Sequence, residues 1–278
     1  MRRAMRPLSL DHLTVIDASP VQLIEAAAAG GFQHVGLRVV QPLAAAPVAD
    51  VIGSAAMRRE LKAAMAASGV TVRLIESIWI APDTDPRALE PALATGAELG
   101  ARFVLVAGND PDRARLIDRV GQLADLARSH GLEIAFEFMP FTEVRSFEDA
   151  VAIKRELARD NVGLLVDALH LSRSGQDFGR LETLDTSAVS YVHLCDAKGP
   201  IPSGNGLRDE ARLNRYDPGD GDLALDSVLD AMPADACLGV EAPCSLYAGM
   251  PPVERGRIAG QAARQWLRRH DERTTHTS

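Results

Sequence analysis

Short apolar runs alternate with longer amphipathic stretches about eight times along this chain. The apolar runs predict strands over residues 9–16, 34–39, 71–80, 103–107, 133–138, 163–167, 191–194 and 238–241. Helical spacing of apolar positions predicts helices over 20–29, 55–68, 86–99, 113–130, 146–159, 223–231 and 253–269. Gly30-Gly31, Gly69, Gly100 and Gly131 each stand between a helical stretch and the next strand, as C-terminal glycines do. Ser19-Pro20 and Asp85-Pro86 read as a cap followed by a first turn. Runs such as VLVAG and GLLVD are apolar throughout rather than alternating, the mark of parallel strands covered on both faces. Eight strand–helix units without a composition shift predict a single α/β domain over residues 1–278, a (β/α)8 barrel. The polar end, about 270–278, is expected to be a flexible tail.

Length agrees, since 278 residues slightly exceed the about 250 typical of such a barrel. A doubly wound open sheet is the rival, but it uses fewer strands, and neither GxGxxG after the first strand nor GxxxxGK[ST] is present. The polar stretch 199–222, rich in Gly and Pro and carrying Arg208, Arg212 and Arg215, is either a lid over a pocket or a surface loop. Residues 179–187 are too irregular to assign. The net charge of −8 and pI near 5.4 argue against a nucleic-acid partner. No apolar run approaches the roughly 20 residues of a membrane span. Arg2, Arg3 and Arg6 are not followed by the apolar segment of a secretory signal. Three cysteines, an odd number without CxxC spacing, suit a reduced cytoplasmic protein.

The chemistry lies in the last four predicted strands. Glu137 stands in IAFEFMP, Asp167 in VGLLVDALH, His193 in SYVHLCD and Glu241 in CLGVEAP. A charged group inside such a run is costly unless it is paired or bound to a metal. Taken singly, each carboxylate reads as a salt-bridged or capping group and His193 as a satisfied core histidine. Four at the same place in consecutive strands point to one shared site at the strand C-termini, where barrels carry their active sites. Three oxygens and one nitrogen suit one divalent metal ion, Mn2+, Mg2+ or Co2+ ahead of Zn2+. Around that site, Arg38 ends the second strand as a candidate anion clamp, or as half of a salt bridge with Glu76. Trp79 offers an apolar wall, and Asn109 and Lys198 offer polar substrate contacts. His170, three residues beyond Asp167, is placed to hydrogen-bond a substrate oxygen or to steady a ligand.

FEFMP, DALH, HLCDA and GVEAP together resemble the xylose isomerase-like TIM-barrel superfamily, and within it the sugar phosphate isomerase/epimerase branch. AAAAGGFQHVGLR and PGDGDL extend the likeness over nearly the whole chain. The resemblance implies a single divalent metal held by Glu137, Asp167, His193 and Glu241. It also implies that Glu137 and Glu241 act as acid and base on opposite sides of a small sugar or related polyhydroxy carbonyl substrate. Chelation of the carbonyl and its neighbouring hydroxyl acidifies the intervening C–H and stabilises a cis-enediolate. Isomerisation or epimerisation follows. The alternative is a lyase that dehydrates a keto-polyol or keto-acid, such as a keto-inositol or 3-dehydroshikimate, with Arg38 clamping a carboxylate. A non-catalytic sugar-binding barrel is disfavoured by four filled ligand positions. Endonucleases of this fold carry extra histidines where this chain has Arg38, Glu76 and Asn109, so nuclease chemistry is not expected. Epimerases of free ketoses place an Arg shortly after the histidine of the seventh strand. Here that stretch reads CDAKGP, which leaves Lys198, Arg208, Arg212 or Arg215 as substitutes. Relatives form homo-oligomers, so self-association is an option the resemblance leaves open.

Overall fold

A computed structural model describes residues 6–41 and 48–276. Arg2, Arg3 and the last two residues, on which sequence expectations also bore, lie outside the described residues. Eight parallel strands close into a barrel in chain order: β1 (Leu8–Asp11), β2 (His34–Arg38), β3 (Thr71–Ile80), β4 (Phe103–Gly108), β5 (Glu133–Glu137), β6 (Val162–Asp167), β7 (Val189–Leu194) and β8 (Cys237–Val240). β8 pairs with β1 to complete the ring, with Ser9 opposite Gly239. The helices are α1 (Pro20–Gly30), α2 (Ala55–Ser68), α3 (Glu90–Glu98), α4 (Arg113–Ser129), α5 (Phe147–Leu157), α6 (Ala168–Arg173), α7 (Gly206–Leu213), α8 (Leu225–Ala231) and α9 (Pro252–His276). No helix among the described residues is long and apolar enough to cross a membrane.

The local signals act as expected. Ser19 caps α1 through a reciprocal box with Gln22 and is followed by Pro20 at the first turn. Gly31 closes that helix at φ 70°, a left-handed conformation that costs glycine little. Asp85 caps only a 3-10 turn, Pro86–Leu89, and the α-helix starts after it. Three boundaries differ. β1 ends at Asp11 and a 3-10 turn, His12–Val15, takes over the rest of its apolar run. The stretch 199–222 contains α7, a two-turn helix, rather than a plain loop. The last helix continues past Arg269 to His276, because His270 Nε2 lies 2.9 Å from Asp230 Oδ1 and its ring packs on Trp266.

Side chains alternate along a strand, so one parity faces the barrel interior. Leu74, Phe103, Leu105, Ala135, Leu165 and Tyr191 form a separate apolar cluster there, distinct from the larger core between barrel and helices. Two residues further along the same strands, in the same parity, stand Glu76, Glu137, Asp167 and His193. The interior thus changes from apolar to charged toward the C-terminal mouth.

Candidate metal centre and active site

His193 is fully buried at the centre of the charged layer. Its Nδ1 lies 3.5 Å from Glu137 Oε1, 3.6 Å from Asp167 Oδ2 and 3.6 Å from Glu241 Oε2. Those separations are too long for hydrogen bonds. They approach the roughly 3.0–3.4 Å between neighbouring ligands held about 2.1 Å from a common ion. Both ring nitrogens of His193 and Glu137 Oε1 are buried without a hydrogen bond, Nε2 having only the charge contact with Asp11. Orphaned buried donors and acceptors are rare unless something further satisfies them. Two overlapping triads, Glu137–Asp167–His170 and Asp167–His193–Glu241, each bring one ligand atom apiece within 4.8 Å of one another, so carboxylates and imidazole competent for a divalent ion are gathered here.

The supporting contacts come from four other elements. Asp11 ends β1 with its Oδ2 3.1 Å from His193 Nε2, the ring atom facing away from the cluster. It also accepts from Ser9 Oγ at 2.7 Å and Tyr191 Oη at 3.1 Å. Room for Asp11 exists because Gly36 on β2 and Gly239 on β8 lack a Cβ, which would collide with its carboxylate. Asp167 Oδ1 caps α6 by accepting from the amides of Leu169 and His170. Its Oδ2 accepts from Arg215 Nη1 at 2.6 Å. Arg215, itself buried, also pairs with Glu241 Oε2 at 3.0 Å and donates to the Glu241 carbonyl. Burial alone would push the Asp167 carboxyl up, but Arg215 and the neighbouring imidazoles hold it well below the carboxylate range. Burial pushes Glu137 up to about 7 and His170 down to about 3, so His170 is neutral. Burial also lowers His193, but Glu241 and the other carboxylates around it outweigh that and raise it well above 6.5.

Over this floor lies a cavity of about 300 Å3. Glu137 and Glu241 line it, as do His170, Arg38 and Trp79. Arg38 Nη2 is 3.5 Å from Glu76 Oε2, the salt bridge weighed for it, and Arg38 also lines the cavity. Glu76, however, is buried behind Arg38 and absent from the cavity wall; burial pushes its carboxyl up to about 8. Two further expected contacts also miss the cavity. Asn109 follows the last paired residue of β4 and does not reach the wall. Lys198 sits exposed, its Nζ 4.4 Å from the Tyr216 ring centroid, held there by a cation–π contact. Besides Arg38, the arginines in the wall come from α7 and the residues just after it: Arg208, Arg212 and Arg215. Sequence reasoning passed over Asp11 entirely and left Arg215 among four candidates.

A model of the family described as xylose isomerase-like TIM barrel matches residues 24–270. The chain belongs to that family. Proteins of similar sequence include the inosose isomerase of Bacillus subtilis (strain 168), 35% identical over 118 residues, 42% of this chain and 41% of that protein. The 3-dehydroshikimate dehydratase of Pseudomonas aeruginosa is 31% identical over 156 residues, 54% of this chain and 24% of that protein. The chain therefore matches well under half the length of either relative. Among solved xylose isomerase-like barrels, the IolI protein with a bound zinc atom superposes at a TM-score of 0.77 over 95% of this chain and 99% of its own, with 20% identity. At that identity the likeness concerns the fold.

Proposed function

We propose that this chain is a divalent-metal-dependent isomerase or epimerase of a small polyhydroxylated carbonyl compound. Supporting it most directly is the convergence of Glu137, Asp167 and Glu241 oxygens on one unsatisfied imidazole nitrogen at the base of a cavity sized for such a molecule. Glu137, Asp167, His193 and Glu241 would hold the ion. When bound, it supplies Lewis acidity to a carbonyl and an adjacent hydroxyl. The three-oxygen, one-nitrogen set favours Mn2+, Mg2+ or Co2+, while the zinc of the IolI structure keeps Zn2+ in contention.

The remaining work falls to side chains. Glu137 and Glu241 leave the barrel on β5 and just beyond β8, with β6 and β7 between them, and both border the cavity. One removes the proton beside the substrate carbonyl and the other returns a proton to the neighbouring carbon or the opposite face. Neutral His170 donates to, or accepts from, a substrate hydroxyl. Trp79, Leu13 and Phe141 provide apolar wall that keeps water from the reacting carbon. Arg215 aims Asp167 and Glu241 by pairing with both.

The relatives named as dehydratases favour a second reading, loss of water from a keto-polyol or keto-acid after the same proton removal. One experiment separates the readings: NMR in D2O over a panel of ketoses, keto-inositols and 3-dehydroshikimate with Mn2+-supplemented protein. Deuterium entering the α-carbon with the skeleton retained supports the isomerase; loss of water supports the lyase. Glu137→Gln and Glu241→Gln should each reduce exchange at least about 100-fold, the usual reach of a general acid or base. Near-normal exchange in either variant refutes the two-carboxylate scheme.

A further inference from the structure

α7 presents one stripe to the cavity. Arg208, Ala211, Arg212 and Arg215 are spaced i, i+3, i+4 and i+7, and all four line the wall. The helix is fixed rather than draped. On its other side Glu210 is buried and accepts from Arg173 at 2.9 and 2.7 Å, a bidentate pair that pins α7 to α6. Arg208 is further held with its guanidinium 5.5 Å from the Phe141 ring centroid, and Phe141 itself lines the cavity.

The guanidiniums around this cavity differ in what neutralises them. Arg215 is committed to Asp167 and Glu241, and Arg38 faces Glu76. Arg208 and Arg212 have no carboxylate within ion-pair distance among the described residues. Both are exposed at the rim. In a chain of net charge −8, two uncompensated cations on one helix face, at the rim of a cavity with carboxylates in its wall, form an anion-binding rim. The acidic floor has its own compensation in Arg215 and in the ion that it would hold, so the rim charge is left for the substrate.

We infer that the substrate is anionic, carrying a carboxylate or a phosphate that Arg208 and Arg212 bind while its carbonyl end faces Glu137 and Glu241. This names the substrate class of the site proposed above and rests on that reading. Guanidinium forks suit the planar or tetrahedral oxygens of either anion.

The test is calorimetric binding to chelator-treated and to Mn2+-supplemented protein, using two matched pairs. One pair is 3-dehydroshikimate and its methyl ester; the other is D-fructose 6-phosphate and D-fructose. The anionic member of at least one pair should bind about tenfold more tightly than its neutral partner, the scale of one charge-assisted hydrogen bond. The pair that shows the preference identifies carboxylate or phosphate. Arg208→Gln/Arg212→Gln should bring the preference to within about threefold, and Arg208→Lys/Arg212→Lys should retain part of it. Raising the salt concentration should weaken the anionic member selectively in wild type, which decides the matter even if the Gln variant fails to fold. Equal binding within both pairs, failure of both anions to bind, or a preference that survives the Gln substitutions overturns the inference. Deuterium exchange distinguishes the two proposals. Exchange into a neutral ketose without anion preference sinks the anionic rim alone, whereas anion preference with no exchange in any compound sinks the proposed chemistry alone.

Discussion

Asp11→Asn isolates the contact that orients His193. Ser9 Oγ and Tyr191 Oη donate to Asp11 Oδ1 at 2.7 and 3.1 Å, so the Asn carbonyl oxygen is retained in that position. Its amide NH2 then occupies the place of Oδ2, 3.1 Å from His193 Nε2. In the neutral ring that a metal requires, a donor there forces Nε2 to accept, which puts the ring proton on Nδ1 and blocks the nitrogen facing Glu137, Asp167 and Glu241. Metal binding must first restore the other tautomer against that hydrogen bond. Losses of this kind are typically 10- to 100-fold in metal affinity, about 1.4–2.7 kcal/mol. Chelator-competition titration of Mn2+ or Zn2+ into metal-depleted wild type and Asp11→Asn measures it. Melting curves of the two metal-depleted proteins check that the barrel is intact. An affinity within twofold of wild type, in a variant that melts normally, would remove Asp11 from the support of the site.

Two further predictions follow from burial. Asp217 is buried, and that burial raises its carboxyl from 3.8 to about 6 despite the Tyr247 hydroxyl donating to it at 2.9 Å. A folded-state value above the unfolded one means its stabilisation is complete below about pH 4 and is lost as pH rises through 6. Asp217→Asn should therefore gain about 2 kcal/mol over wild type in urea unfolding at pH 8 and nothing at pH 3.5; an equal difference at both refutes it. Arg38→Ala should raise KM for an anionic substrate about tenfold with a smaller change in kcat. An unchanged KM excludes Arg38 from substrate binding.

The barrel and its acidic floor were legible because both rest on local rules. Apolar runs set the strands, glycines and caps set the helix ends, and a charge at the end of each of four buried runs had to be answered by something nearby. Asp11 escaped the same rule because Leu13, Val15 and Ile16 prolong its run, hiding that the strand stops at Asp11 and that the rest turns into a 3-10 helix. With the true boundary, Asp11 is a fifth strand-end charge. Lys198 was chosen for nearness to His193 along the chain, but the chain turns outward after β7 and its ammonium finds Tyr216. The end of the last helix was hidden by its polar composition; only a tertiary partner, Asp230, makes His270 part of the packed structure.

The stretch after β7 shows how composition can mislead about order. Gly, Pro and Arg between 199 and 222 read as a loop by residue type, yet Arg208, Ala211, Arg212 and Arg215 already carry a helical repeat. What suppressed that reading is that the repeat is cationic rather than apolar. A helix face made of arginines buries against nothing in solvent, so by itself it predicts no packed helix. Above a cavity floored by carboxylates the same face has a partner. Arg215 reaches down to Asp167 and Glu241, Glu210 locks the opposite side to Arg173, and the two outer arginines remain at the rim. The acidic floor and the arginines above it thus meet through Arg215, just past the end of α7, while Glu210 ties the helix itself to Arg173.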